Sequence, residues 1–332
     1  MKKLLLVFCF LSIIKSYSQV NIGQSKSPFN TYMISLKKSE FDLVKKSTTY
    51  FIVPNELNYE EVKKNIQEIW TLNKIVFVSQ DEYEKDEYNY VMAGNSIIRF
   101  INSGGAFGGK TNPNSNFGKV GTNFKLVMFH YLKVEKNKKG KIEKDLFRVA
   151  EIYFTLSIKS RINAFGATKL LWKKRNVDFE KEIEPYSYNF NLGYIRNYFQ
   201  TLNEKLLKGE NFKVRDGIKN KLKLKELKSQ ILYAPDWVLK QYNNMIRDLK
   251  EILTPEELFK KYEYKYNVIS NNELNSKILS GDDFYDFIYA QFNDVKILSI
   301  IHSITGEIIY LTEDNSFNVK DSDLKDISKL ID

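Results

Sequence analysis

Apolar and polar positions along this chain sort most of it into short strands and helices. Thr49-Tyr50-Phe51-Ile52-Val53-Pro54 is a β-rich run halted by proline, and helical spacing follows over about 58–70. Residues 74–82 read Lys-Ile-Val-Phe-Val-Ser-Gln-Asp-Glu, a second β-rich run that ends in Ser-x-x-Glu. That ending is a capping box: the serine hydroxyl accepts from the third amide of a helix and the glutamate reaches back. The same order recurs later. Gln230–Pro235 is a run halted by proline, helices are expected over 237–250 and 255–261, and 265–273 reads Lys-Tyr-Asn-Val-Ile-Ser-Asn-Asn-Glu. Ser79/Glu82 and Ser270/Glu273 therefore start helices in both copies, and Tyr88–Met92 matches Phe284–Tyr289 downstream. Residues 295–311 predict a hairpin turning at Thr305-Gly306. The expected fold class is α+β or mixed α/β, with two related modules of strand-helix-strand-helix followed by antiparallel strands.

Between the copies the pattern changes. Residues 145–158 alternate as a strand with one wet face. Leu192, Ile195, Phe199, Leu202 and Leu206 recur at helical spacing, and Gly209 stops them, which predicts an amphipathic helix docked on a core. The stretch 205–228 is basic. Within it Lys221-Leu222-Lys223-Leu224-Lys225 alternates like an edge strand whose lysines block aggregation. The organisation is then a leader at 1–18, a first module at 19–175 with a glycine-rich loop at 103–122, a connecting segment at 176–228 and a second module at 229–332.

The leader carries the localisation. Lys2 and Lys3 precede an apolar run, Leu4 to Ile14, and Ser16 and Ser18 place small residues before Gln19. This reads as a secretory signal peptide, too short to span a membrane. Cys9, the single cysteine, leaves with it. The mature chain then has no thiol, which excludes thiol catalysis, thiolate metal sites and disulfides. No later apolar run has the length of a membrane helix. A periplasmic or secreted protein is expected.

Composition refines the picture. Hydrophobic residues at 43% and aromatics at 14% describe a folded chain. The formal charge of +10 falls to +7 without Lys2, Lys3 and Lys15. Only 7 of the 51 basic residues are arginine. Lysine is a poor bidentate reader of phosphate and bases, so nucleic acid is not an expected partner. An envelope protein or an anionic surface polymer suits the charge better.

Candidate chemistry is sparse. Gly104-Gly105-Ala106-Phe107-Gly108-Gly109-Lys110-Thr111 satisfies the phosphate-loop string. That chemistry needs a helix opening at the lysine, and Asn112-Pro113-Asn114-Ser115-Asn116-Phe117-Gly118 is loop sequence instead. The segment 103–122 is better read as a long loop and a possible ligand surface. His130 and His302 lie one residue apart in the repeat alignment and read as structural histidines, with no metal-ligand spacing around them. Asp81/Glu82, Asp86/Glu87, Asp282/Asp283 and Asp314 with Asp321/Asp323/Asp326 suit helix starts and solvated turns. A glycosidase pair cannot be read from them. Ser35-Leu36-Lys37-Lys38 and Ser322-Asp323-Leu324-Lys325 fit S-x-x-K without its partner motifs. Tyr186-Ser187-Tyr188-Asn189-Phe190-Asn191 and Tyr194 to Phe199 could stack on sugars or fill a core. No catalytic, cofactor or metal residue is assigned.

Leu232-Tyr233-Ala234-Pro235-Asp236, Lys265–Ser270 and Ile304-Thr305-Gly306-Glu307-Ile308-Ile309-Tyr310 resemble exported proteins of unknown function from Bacteroidota-type Gram-negative bacteria, over residues 230–311. The resemblance implies an envelope location and brings no activity or site residues. The expected function is a non-enzymatic envelope binding or assembly component. The competing expectations are a carboxylate-dependent hydrolase of a surface polymer and a carbohydrate-binding module.

Overall fold

β-Branched and aromatic runs separated by turn residues build two six-stranded sheets in a computed structural model that describes residues 19–25, 33–107, 119–138, 140, 142–157, 187–243, 248–292 and 294–332. The first half supplies β1 (Val20–Ile22), β2 (Gln24–Ser25), β3 (Met33–Ile34), β4 (Thr48–Val53), β5 (Lys74–Ser79), β6 (Ser96–Phe107), β7 (Lys119–Lys136) and β8 (Ile142–Phe154). The second supplies β9 (Ile218–Lys219), β10 (Leu232–Pro235), β11 (Lys240–Asn243), β12 (Asp248–Ile252), β13 (Tyr266–Ile269), β14 (Tyr285–Phe292), β15 (Val295–His302) and β16 (Ile308–Asp314). Residues 1–18, where a leader and its cleavage site are expected, lie outside the described residues.

The sheets correspond strand for strand. One runs β5-β4-β6-β7-β8-β1 and the other β13-β10-β14-β15-β16-β9. In each, the second strand pairs parallel with both neighbours and the remaining pairs are antiparallel. Register makes the match residue-specific. Thr49 faces Ile75 and Ser96, as Leu232 faces Tyr266 and Tyr285. Counting along the strands, Ser79 falls on Ser270. His130 pairs with Ser96 as His302 pairs with Tyr285, so the two histidines are register-equivalent. A bulge between Met128 and Phe129 matches one between Ile300 and Ile301. The same register moves the proline match by two residues, because Pro235 falls on Ile52 and Pro54 on Trp237. The strand Phe284–Tyr289 matches 95–100, whereas Tyr88–Met92 holds part of the short helix Glu87–Tyr90.

Helices repeat as well. Tyr59–Gln67 follows β4 and Pro255–Phe259 precedes β13. Ser79 caps Gln80–Lys85 with a full capping box, and Ser270 caps Asn271–Ser280 by accepting from the Glu273 amide at 3.2 Å. A longer helix, Leu192–Lys208, follows β8, and Asp321–Ile331 follows β16. Asn191 caps the former, and Gly209 ends it at φ 68°, a left-handed turn that suits glycine.

Several expectations are corrected. Residues 237–239 belong to a 3₁₀ turn, and 240–243 and 248–250 to β11 and β12, which pair antiparallel. Lys221–Leu224 is helical, and the edge strand is β9, just before it, paired to β16. The second sheet therefore begins inside the segment expected to connect the modules. The second half of β8 is buried on both faces from Val149 to Phe154. The glycine-rich segment is paired strand over 103–107 and 119–122, with only 108–118 outside the described residues.

The central helix Leu192–Lys208 joins the halves. Ile195, Phe199, Leu202 and Leu206 share one core with Phe51, Val62, Ile66 and Ile98 of the first module. The same core takes in Leu274, Ile278, Ile288 and Ile301 of the second. Tyr194, Asn197, Tyr198 and Thr201 are buried too, and the stripe of Arg196, Gln200, Glu204 and Lys208 stays at least partly exposed, so the helix is amphipathic with a wide buried face. At Gly193 a Cβ would sit 3.0 Å from Asn275 Oδ1 and 3.1 Å from the Ile278 Cβ, and the Gly193 amide donates to Asn275 Oδ1 at 2.7 Å. Gly193→Val should cost about 1–3 kcal/mol in denaturant unfolding by overpacking this crossing. Ser79→Ala and Ser270→Ala should each cost about 1 kcal/mol, the usual loss for a cap.

Asp286 faces the same core with no hydrogen-bond partner among the described residues, and burial pushes its carboxyl well above the ordinary value. Tyr194 and Tyr198 of the central helix lie within its field. Because the folded state holds this proton, stability is full below the unfolded value of about 4 and falls as pH rises towards the folded one. Urea titrations across pH should show that decline in the native chain and a flatter, higher profile in Asp286→Asn.

Candidate functional site

A doubly wound sheet opens a crevice where successive crossovers leave on opposite faces, at the carboxyl ends of its strands. In the first module the Tyr59–Gln67 helix buries Val62 and Ile66 on the face of Phe51 and Ile98. The turns after β5 bury Tyr83 and Val91 on the opposite face, with Ile52, Val78 and Ile97. The chain thus switches sides between β4 and β6, and a groove of about 360 Å³ lies there. Ile52 and Pro54 at the end of β4, Gln80, Glu84 and Glu87 from the helical turns, and Arg99 from β6 line it.

Its charges are organised. Glu87 Oε1 accepts from Lys144 Nζ and from the Tyr83 hydroxyl, each at 2.7 Å. Burial works to raise the Glu87 carboxyl, but these hydrogen bonds and the charges of Lys144 and Arg99 outweigh it and hold the group below its usual value. Burial raises the Tyr83 phenol strongly, so it remains a donor. Arg99 Nη1 donates to the Tyr83 hydroxyl at 3.3 Å and stands 3.8 Å from Glu87. Its guanidinium is 5.9 Å from the Tyr83 ring centroid and 5.7 Å from that of Phe129. Lys144 thus takes the tight bond to Glu87, and Arg99, about one-third exposed, is held by rings and a long hydroxyl contact.

In the second module the equivalent positions are covered. Register places Ile288 on Arg99, Leu274 on Tyr83 and Asn275 on Glu84, and counting past the break at Asp86 places Ile278 on Glu87. Leu274, Ile278 and Ile288 are buried in the core of the central helix, and Asn275 receives the Gly193 amide. The first module also carries extra chain at this end. Phe292 pairs with Val295 at the tip of the second hairpin, and their equivalents are Ser103 and Asn123. Residues 104–122 are therefore an insertion on the strand that carries Arg99.

Residues singled out by sequence scatter. Gly104 and Gly105 pair with Thr122 and Gly121 inside the ribbon, so they do not form a phosphate cradle, and Gly108–Thr111 lie outside the described residues. His130 is buried and bonded to Ser96 Oγ at 3.1 Å, which in turn meets Ser47 Oγ at 2.8 Å. Burial lowers the His130 pKa, as suits a neutral structural ring. His302 Nε2 meets Asp283 at 3.0 Å. Asp81 accepts from Asn55, Asp282 pairs with Lys277, Asp321 with Lys260 and Lys261, Asp323 with Lys296, and Asp326 with Lys329. Of the acid pairs only Glu87 reaches the groove. Ser35 and Ser322 are exposed on separate segments. Tyr194, Tyr198 and Phe199 are fully buried and Tyr188 stacks on Trp237 at 4.9 Å, so these aromatics are core rather than a sugar platform. Tyr186 lies outside the described residues.

Among the described residues no group of three His, Cys, Asp or Glu could hold a metal, and no helix is long and apolar enough to cross a membrane. The chain matches no family model, no curated protein and no solved structure.

Proposed function

We propose that the chain is an exported, non-enzymatic binding component of a bacterial envelope, periplasmic or secreted, whose two modules arose by duplication. The first module binds an envelope ligand in the switch-point groove, and the second serves as its platform. One observation carries this reading: the positions that hold Arg99, Tyr83 and Glu84 in the first module hold Ile288, Leu274 and Asn275 in the second, where the central helix covers them. One copy of the crevice is spent on packing and the other stays open and charged.

Binding suits the groove better than hydrolysis. A proton donor needs a carboxyl that keeps its proton near the working pH. Glu87 is instead held ionised by Lys144 and Tyr83. The net positive charge of the whole chain favours an anionic surface polymer, or an envelope protein presenting acidic groups, as partner. Immobilised chain beginning at Gln19 should retain polymer from a solubilised native envelope. Arg99→Glu should abolish that retention while circular dichroism shows the chain still folded, and Lys329→Glu on the terminal helix should not alter it. Equal retention by the Arg99→Glu chain would falsify the assignment of the site.

A further inference from the structure

We infer that the groove recognises a carboxylated sugar, the acidic unit of an anionic polysaccharide, an inference that rests on the groove being the ligand site. Arg99 supplies the anion contact. Its guanidinium is braced between the Tyr83 and Phe129 rings, and Nη2 makes no hydrogen bond among the described residues. Nε is buried, so the contact falls to the Nη1–Nη2 end, whose planar geometry matches the two oxygens of a carboxylate, a fit that a lysine ammonium lacks.

The neighbouring carboxylates decide which anion. Glu84 and Glu87 also line the groove, and Glu87 stands 3.8 Å from the Arg99 guanidinium. A phosphate monoester carries about −1.5 to −2 charges at neutral pH and would meet both carboxylates. A sugar carboxylate carries one charge, and its ring hydroxyls turn the same acceptors into an asset. Glu84 is exposed and accepts hydroxyl protons, and Gln80, whose amide already donates to Glu84 Oε1 at 2.8 Å, holds that carboxylate in place. Pro54 adds an apolar flank at the end of β4. A partly exposed arginine, carboxylate acceptors beside it and an open mouth describe a site for one acidic residue within a chain.

The test is calorimetry with oligogalacturonate, with the same oligosaccharide after reduction of its carboxyls to alcohols, and with a sulfated neutral oligosaccharide. Oligogalacturonate should bind, and the reduced form should bind at least tenfold more weakly. Arg99→Ala should weaken oligogalacturonate at least tenfold, and Arg99→Lys should remain several-fold weak because the charge is kept and the fork lost. Exposed Glu84→Gln, which leaves the packing intact, should also weaken it several-fold. Circular dichroism and unfolding midpoints equal to the native chain's certify each variant. If the sulfated oligosaccharide binds as tightly with the same dependence on Arg99, the carboxylated-sugar assignment is wrong while the groove remains the site. If no oligosaccharide binds while Arg99→Glu still abolishes envelope retention, the ligand is of another class. If both experiments are blind to Arg99, the inference falls together with the reading beneath it.

Discussion

Everything else in this molecule depends on one helix, Leu192–Lys208, being packed between two sheets. It presents Ile195, Phe199, Leu202 and Leu206 within a core shared by both modules, with Tyr194 and Tyr198 also buried. At about 1.5–3 kcal/mol for each large apolar side chain removed from water, that burial is a principal source of stability. The faces it joins are not equivalent. On the first sheet it covers the face of Phe51, Ile98 and Met128. The equivalent face of the second sheet, with Ala234, Phe287 and Ile300, is covered by Leu324, Ile327 and Ile331 of the terminal helix. The central helix therefore meets the second sheet on its opposite face. The modules stack head to tail, and such a stack of two buries only one copy of the switch face.

That asymmetry relaxes the constraint on the first module's switch face. Ile288 must be apolar because a helix covers it, whereas Arg99 borders a groove and is free to be charged. The charges continue across the sheet. Buried Glu151 accepts from Lys125 at 2.9 Å and from Arg148 at 2.8 Å, and Arg148 lies 5.9 Å from the same Phe129 ring that braces Arg99. Removing one member of such a buried set leaves its partner's charge uncompensated, so these residues fix one another.

Local chemistry made much of the fold legible. Ser79, Ser270, Gly209 and Thr305-Gly306 act over a few residues, and each caps or turns where its sequence implies, with the full capping box formed at Ser79. Failures came where distant packing overrules a local pattern. Lys221-Leu222-Lys223-Leu224 alternates like a strand, yet Asn220 caps a helical turn there and Leu224 is drawn into the second core. Apolar spacing over 237–250 suggested a helix, but Trp237 stacks with Tyr188 and Tyr289, and the chain leaves as β11, which pairs with β12. The caps at Ser79 and Ser270 pointed to matching strand–helix corners, while the register match of His130 and His302 is blurred in sequence spacing by the longer first hairpin. The groove was nearly invisible. Its one signal was Arg99, an uncommon residue in this lysine-rich chain, placed inside Ile97-Ile98-Arg99-Phe100-Ile101.

The insertion and the groove then become a single feature. A hairpin lengthens at little cost when its strands keep pairing, and Ser103–Phe107 remain paired with Lys119–Asn123. The extension continues β6, the strand of Arg99, beyond the carboxyl end of the sheet where the groove opens. In the second module the hairpin stops at Phe292 and Val295, and the central helix occupies that module's switch face. The open crevice, the charged lining and the extra ribbon thus occur together in the first module, whereas in the second the equivalent Ile288, Leu274 and Ile278 are buried and the hairpin is short. Packing against the central helix would forbid the first two. Their joint occurrence where that packing is lifted is the physical argument behind the proposed ligand site.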